Sequence, residues 1–267
     1  MIDQFRLQAR RFGMVNRFVD IPMDPRSDEE VVQVYAGALT PQTRLLMIPH
    51  MVNITGHVLP VRAICDMAHE RGVPVMVDGA HAFAHLDFRV PDLHCDYYGA
   101  SLHKWLSTPL GAGILYVRHD RIEKLWPLYG DRGIPDGDIR KLNHTGTHPV
   151  HTDLGIEGAL AFHEAIGGPR KEARLRYLQR YWSDKVRGTP KIVMNTPADP
   201  ARSCAIANVG VQGMKPGDLA KTLFDRYNVW TVAIDGVGVH GVRVTPQVYT
   251  STGELDTFVK ALKELAA

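Results

Sequence analysis

An acid, a hydroxyl, an imidazole and an amine follow two apolar runs of the sequence. Asp78 ends the run VPVMVD, and Ser101, His103 and Lys104 follow in order from the run CDYYGAS. A buried parallel strand delivers a polar residue to its carboxyl end in this way, and such ends meet at one edge of a sheet. We therefore predict a single site that combines these four side chains.

The lysine and the acid admit two interpretations on residue type alone. One is an ordinary surface ion pair, which is common in proteins. The other is a site for pyridoxal phosphate, which needs a lysine for its Schiff base, a carboxylate for its pyridinium nitrogen and donors for its phosphate. Lys104, Asp78, Ser101 and His103 are of the right types for these roles. Spacing alone does not decide between the two interpretations.

The elements that must position these residues alternate between strand and helix. Residues 45–48 predict a buried strand, residues 60–72 an amphipathic helix that ends at a glycine, and VPVMVD the next strand. This order predicts a parallel sheet with right-handed crossovers. A further apolar run, 113–117, predicts a third strand end at the same place, and residues 14–22 predict a strand near the amino end.

The second half of the chain does not continue the alternation of strand and helix. Helical patterns over 153–166 and 170–186 are separated by Gly167, Gly168 and Pro169, and beyond them strands and helices follow in a mixed order. We predict a domain boundary here, with a large domain over 1–168 and a small α+β domain over 169–267.

Composition narrows the functional classes. The chain has 267 residues, 45% hydrophobic and 22% charged, with a net charge of +2, which argues against a polyanion-binding or membrane-surface role. Cys65, Cys95 and Cys204 are few and widely spaced, as in proteins of a reducing compartment. The amino end lacks the apolar core of a signal peptide, so a cytoplasmic protein is expected, with neither nucleic acid nor membrane as a partner.

Several ordered motifs together resemble the class V aminotransferase family, whose members are fold type I pyridoxal-phosphate enzymes that include cysteine desulfurases and isopenicillin N epimerases. VDGAHA is followed by SLHKW, a proline-glycine turn and GILYVR, while NITGHVLPV, HTGTHP and VRVTPQVYTSTGELDTFVKAL resemble further family segments. The resemblance covers essentially the whole chain. It implies an α/β, three-layer large domain with a parallel-type sheet and a small α+β carboxyl-terminal domain.

The resemblance also implies roles for individual residues. Lys104 would carry the cofactor and move the Cα proton of the substrate, and Asp78 would pair with the pyridinium nitrogen. His81 and Asn53 would lie beside the ring oxygen. Arg243 would bind the substrate carboxylate, because its planar fork suits bidentate capture. Arg202, the other candidate for that role, has no motif around it.

Phosphate binding is expected to involve two subunits. By resemblance, Ser101 and His103 would hold the phosphate within the subunit, and Thr147 would reach the phosphate of the neighbouring one. The implied protein is a homodimer with shared active sites. Its substrate would be an amino acid with a free carboxylate, and its reaction of the aminotransferase or epimerase type.

Two departures from the family leave alternatives open. Between Tyr227 and Arg243 there is no cysteine, so the persulfide chemistry of cysteine desulfurases is not expected. The family also has a segment ahead of Ile2 that supplies a phosphate loop and a ring-stacking residue, so the large domain is expected to be truncated at its amino end. A non-catalytic remnant and a pyridoxal-phosphate-dependent C–S lyase therefore remain as alternatives.

A more distant alternative is a metal-dependent hydrolase. The chain has 13 histidines, and His81 and His85 are four residues apart, a spacing that suits metal ligation on a helix. Asp78 and Asp87 would complete the ligands.

Overall fold

A computed structural model of the chain describes residues 2–127, 129, 133–143, 146–147 and 150–267. Its α-helices are α1 Ile2–Phe12, α2 Asp28–Ala38, α3 Val61–Glu70, α4 Val150–Ile166, α5 Gly168–Val186, α6 Pro216–Tyr227 and α7 Thr252–Ala266. Its strands are β1 Leu46–Pro49, β2 Val75–Asp78, β3 Tyr97–Ser101, β4 Gly113–Val117, β5 Ile192–Met194, β6 Ala207–Val211, β7 Val232–Gly236 and β8 Val239–Val244. Among the described helices, none has the length and apolar character to cross a bilayer.

The first sheet has the strand order β1-β2-β3-β4. β1, β2 and β3 are parallel, and β4 is antiparallel to β3. The predicted α/β fold is confirmed, but the sheet is mixed. Because β4 runs in the opposite direction, its first residue, Gly113, pairs with Ser101. The start of β4 therefore lies at the edge where the sequence predicted a strand end.

Two helices bury the apolar side chains of this sheet. Ser27 caps α2 by accepting a hydrogen bond from the Glu30 amide at 3.2 Å, as the sequence pattern indicates. α2 and α3 bury Val31 and Ile64 in one core cluster with Val75 and Val77 of β2. Burial of a side chain of this size contributes about 1.5–3 kcal/mol.

The strand predicted over residues 14–22 is wrong. This segment has no regular structure, although Val19 and Ile21 pack against the first core. Arg17 donates a hydrogen bond to the Ala38 carbonyl at 3.0 Å. The apolar residues are thus used for packing over the end of α2, and the segment pairs with no described strand.

The second sheet is antiparallel throughout, in the order β5-β6-β8-β7. α5, α6 and α7 bury their apolar faces against it, with the rings of Trp182 and Phe258 at 5.1 Å in an edge-to-face arrangement. α5 also contributes Leu175 to a cluster with Trp105 of the first half. The division of the chain at residue 168 stays a prediction.

Candidate active site

Asp78 ends β2 at the carboxyl edge of the first sheet. Its Oδ1 accepts a hydrogen bond from the Ala80 amide at 3.0 Å. The next residue, Gly79, lies directly against the ring of Tyr98, where a Cβ would come within 1.9 Å of Tyr98 Cζ. Only glycine permits this approach, so the small residue after the acid lets the chain turn sharply while keeping Asp78 at the edge.

Lys104 lies in the turn that connects β3 to β4. The Leu102 amide donates to the Ala112 carbonyl at 3.1 Å, and the Thr108 amide donates to the Leu102 carbonyl at 3.3 Å, which closes this turn. Beside Lys104, the Nδ1 atom of His103 is buried and has no hydrogen-bond partner among the described residues. A buried polar atom of this kind indicates a place for a ligand.

The electrostatics link Lys104 to two other predicted site residues. Burial lowers the pKa of Lys104, the charge of Asp78 raises it, and the charge of Arg243 lowers it again. The net effect is a lowered pKa, so the neutral amine is more accessible than for a lysine in water. The structure therefore brings Lys104, Asp78 and Arg243 together.

His81 belongs to the same group. Burial, followed by the charges of Lys104 and Arg243, lowers the pKa of His81 to about 3. The ring is therefore neutral at physiological pH. Its Nδ1 atom lies 3.4 Å from the indole nitrogen of Trp105, which donates to it.

Arg243 reaches this edge from β8 of the second sheet. Its Nη1 donates to the Asn53 carbonyl at 3.2 Å, and burial lowers its pKa. Its buried Nε has no hydrogen-bond partner in the part of the chain that the structure describes. Arg202, by contrast, already forms ion pairs with Asp28 at 2.7 Å and Asp199 at 3.3 Å. Because no described carboxylate forms an ion pair with Arg243, its charge is the one of the two that is available to an anionic ligand.

The NITGH segment joins the two halves of the site. Gly56 has a φ of +77°, and a Cβ at this position would come within 1.9 Å of the Ile206 carbonyl oxygen. The Thr196 hydroxyl donates to the Thr55 carbonyl at 2.7 Å. These contacts hold the Asn53 loop against the second sheet, which is why Arg243 can contact it.

The remaining predicted residues occupy different surroundings. Ser101 is half-buried at the end of β3, and Asn53 is exposed. Thr147 is also exposed, but most of the HTGTHP segment (144–145 and 148–149) lies outside the described residues. The roles assigned to these three residues stay predictions.

His85, whose spacing from His81 suits a metal ligand, has a different role in the structure. Its ring is fully buried; Nδ1 donates to the His81 carbonyl at 2.8 Å, and Nε2 accepts from the Ala205 amide at 3.0 Å. Both ring nitrogens are therefore engaged, and neither has a lone pair left for a metal. No group of three or more potential metal ligands occurs among the described residues.

Sequence reasoning missed the layer behind these residues. The Trp105 ring stacks on His85 with centroids 3.7 Å apart, and the buried ammonium of Lys171 donates to the Trp105 carbonyl. The SLHKW motif includes Trp105, so its place next to Lys104 was visible. Lys171 belongs to a charged helix pattern and carries no such signal.

The fold is that of pyridoxal-phosphate-dependent transferases. It superposes with a TM-score of 0.86 on a C-DES variant with glycine covalently linked to its PLP cofactor, at 20% identity over 98% of this chain and 71% of that one.

Residues 16–256 match the family described as Aminotransferase class-V. The chain is 33% identical to isopenicillin N epimerase from Amycolatopsis lactamdurans, over 97% of this chain and 69% of that protein. It is 27% identical to a cysteine desulfurase from Klebsiella pneumoniae, over 92% of this chain and 64% of that protein. The chain therefore belongs to the aminotransferase class-V family.

Proposed function

We propose that the chain binds pyridoxal phosphate through Lys104 and acts at the Cα of an amino acid, in a reaction of the aminotransferase or epimerase type. One observation carries this proposal. Lys104 lies within electrostatic reach of an anion, Asp78, and of a cation, Arg243, at the carboxyl edge of the sheet. A cofactor with a cationic ring nitrogen and a substrate with a carboxylate need this pair of opposite charges around one amine.

The described residues fit the cofactor. The unpartnered Nδ1 of His103 is suited to a phosphate oxygen, together with Ser101. Asp78 supplies the negative charge for the ring nitrogen, and the neutral ring of His81, with Asn53, suits the ring oxygen. When bound, pyridoxal phosphate withdraws electrons from the Cα of an amino acid attached to it.

Lys104 and Arg243 have the chemical properties that the reaction needs. Because burial lowers the pKa of Lys104, its Nζ can reach the neutral form that both roles of this lysine require. Lys104 would hold the cofactor and, once released by the substrate amine, would be the base that accepts the Cα proton. Arg243 would orient the substrate through its carboxylate, since its buried Nε has no hydrogen-bond partner among the described residues. A fixed carboxylate orients the Cα–H bond relative to Lys104.

The cysteines argue against a persulfide mechanism. Cys65, Cys95 and Cys204 are all buried, and burial raises the pKa of Cys95 to about 11 and that of Cys204 to about 12. A nucleophilic cysteine needs an accessible thiolate. The three thiols of this chain lack that property, which favours Cα chemistry without a protein persulfide.

A homodimer fits the exposed apolar side chains near the turn before β4 and the start of α4, where the Thr152 hydroxyl donates to the Leu110 carbonyl at 3.2 Å. Leu110, before β4, is 79% exposed, and Leu154 on α4 is 76% exposed. Large apolar groups on a surface indicate an interface, and a second copy would bring Thr147 to the neighbouring site. Light scattering tests this: we expect a dimer for the chain and a monomer for Leu154→Lys. A wild-type monomer that keeps its cofactor would contradict it.

We propose that the protein works in the cytoplasm. The three free cysteines are compatible with a reducing compartment. Cell fractionation tests this, and recovery of the protein in an oxidising compartment would contradict it.

The cofactor proposal is tested by absorbance. The full chain, incubated with pyridoxal phosphate and desalted, should show a visible band that borohydride bleaches. Lys104→Ala should lose this band, whereas Lys260→Ala should keep it, because the Lys260 side chain is 75% exposed on α7. A band that persists in Lys104→Ala, or no band in the wild type, would overturn the proposal. The latter result is the one that a non-catalytic remnant predicts.

The reaction type is tested by exchange in deuterated water. The loaded chain should replace the Cα proton of a suitable amino acid with deuterium, as followed by NMR. Inversion of configuration identifies an epimerase, and formation of an oxo acid that depends on an acceptor identifies an aminotransferase. Release of sulfide from cysteine, or of cysteine persulfide from cystine, without Cα exchange of other amino acids would instead identify a C–S lyase.

A further inference from the structure

We propose that Trp105 is a positioning residue that fixes His81 as a neutral imidazole with its proton on Nε2. This use of His81 rests on the proposed function, since it concerns the residue expected beside the cofactor ring. The tautomer itself, however, follows from hydrogen bonds within the chain and is measurable without any cofactor.

The donor and acceptor roles at Trp105 leave one arrangement. An indole nitrogen always donates, so the contact of 3.4 Å between Trp105 Nε1 and His81 Nδ1 requires His81 Nδ1 to accept. A neutral imidazole that accepts at Nδ1 carries its proton on Nε2. Among the described residues, His81 Nε2 has no hydrogen-bond partner, so this N–H is free for a ligand.

Trp105 can hold this arrangement because it is itself fixed. Its side chain is 5% exposed and stacks on His85 at 3.7 Å, with 29° between the rings. Hydrogen bonds at both ring nitrogens fix the orientation of His85: Nε2 accepts from the Ala205 amide, and Nδ1 donates to the His81 carbonyl. The same histidine that supports the indole therefore also holds the backbone of His81.

A buried lysine secures the backbone of Trp105. Lys171 is 2% exposed and donates to the Trp105 carbonyl, with His163 Nδ1 at 3.5 Å. Hydrogen bonds to charged groups are stronger than neutral ones. Lys171, Trp105 and His85 thus form a support layer behind His81 and Lys104.

The chemical consequence is selectivity for an anionic oxygen. A neutral Nε2–H beside Lys104 stabilises an oxygen that carries negative charge, such as the ring oxygen of pyridoxal phosphate. The opposite tautomer would present a lone pair and repel such an oxygen. A charged imidazolium is disfavoured as well, because the His81 ring is buried and because Lys104 and Arg243 add positive charge nearby.

The experiment is NMR on the full chain with ¹⁵N-labelled histidine, without added cofactor, with the His81 signals assigned from His81→Gln. We expect a protonated Nε2 and an unprotonated Nδ1 for His81 in the wild type. Trp105→Phe keeps an aromatic ring against His85 but removes the donor, so the His81 signals should shift to an average of the two tautomers. Thermal unfolding of both proteins checks that the variant is folded.

A second measurement gives the effect on binding. Loss of one hydrogen bond of this kind is expected to weaken pyridoxal phosphate binding about tenfold in Trp105→Phe. A wild-type His81 protonated on Nδ1 overturns the inference, and this result needs no variant. It is also overturned by a folded Trp105→Phe in which the tautomer is unchanged. Neither result depends on whether the proposed reaction is correct.

Discussion

The two edges of the first sheet each hold a carboxylate, and the partners of the two differ. At the amino edge, next to β3, the side chain of Asp96 is fully buried. It accepts hydrogen bonds from His69 Nε2, the Val75 amide and Arg121 Nε, each at 2.7 Å. Burial alone would raise the pKa of Asp96, but these bonds outweigh it and the pKa is lowered.

Asp78, at the carboxyl edge, has fewer hydrogen-bond partners than Asp96. Within the described chain, the side chain of Asp78 accepts one hydrogen bond, from Ala80. Asp78 and Arg243 both lie close enough to Lys104 for their charges to shift its pKa, and none of the three forms an ion pair with another described residue. A buried charge that is hydrogen-bonded and ion-paired within the protein stabilises the fold, whereas a charge without such partners is available to bind a ligand. One sheet can thus hold a carboxylate for stability at one end of its strands and a carboxylate for a ligand at the other.

The largest effect should come from neutralising the open carboxylate. Asp78→Asn is expected to lower kcat/KM about 10³-fold, because the negative charge opposite the cofactor ring is lost while the bond from Ala80 is kept. Its free energy of unfolding should change by less than about 1 kcal/mol. Steady-state kinetics and urea unfolding measure the two quantities. A loss of stability comparable to the loss of activity would contradict the distinction between the edges.

Substitution of Asp96, the carboxylate at the amino edge, should reduce stability rather than activity. Asp96→Ala is expected to lower the free energy of unfolding by about 3 kcal/mol at pH 7, because buried donors lose their partner. The folded pKa of Asp96 lies below its ordinary value of 3.8, so its contribution is present above pH 3.8 and is lost as pH falls through the folded pKa. Urea unfolding of both proteins at pH 7 and pH 3 should show a difference that narrows at pH 3.

Lys171, which is buried behind the carboxyl edge, should make the free energy of unfolding depend on pH. Burial lowers its pKa from 10.5 to about 8, so between these values the unfolded chain binds more protons than the folded one. Stability from this group therefore rises with pH. Relative to Lys171→Met, the wild type should gain about 2 kcal/mol in unfolding free energy between pH 8 and pH 10. A constant difference would show that Lys171 is not buried as a charge.

The smallest effect should come from exchanging the arginines of the two edges for lysine. Arg243→Lys is expected to raise KM for the amino acid about tenfold, because a bidentate contact with the carboxylate becomes a single one. Arg121→Lys, the matched change beside Asp96, should leave KM unchanged. An equal rise of KM in both variants would show that Arg243 does not contact the substrate.

Much of the fold followed from local patterns in the sequence. Apolar runs that end in polar residues located β2 and β3, and Ser27 followed by Glu30 located the start of α2. The strand predicted over 14–22 failed because an apolar pattern does not say whether a partner strand exists. The direction of β4 was missed for a related reason, since strand pairing depends on contacts between segments distant in sequence.

For the site, the sequence predicted the residues expected to contact the cofactor but not the residues that support them. Motif resemblance pointed to Asp78, His81, Lys104 and Arg243. In the structure the charges of Asp78 and Arg243 act on Lys104, and those of Lys104 and Arg243 act on the neutral ring of His81. The resemblance did not point to His85 as a support for Trp105, because spacing alone fits a metal ligand equally well. Lys171 could not be found either, since burial of a lysine on a charged helix depends on tertiary packing.

Of all the residues discussed, Lys104 is the one that we propose binds the cofactor. Borohydride reduction of the chain with bound pyridoxal phosphate, followed by proteolysis and mass spectrometry, tests it directly. We expect a single reduced adduct, on the peptide that contains Lys104. An adduct on Lys171 or on an exposed lysine, with Lys104 unmodified, would contradict it.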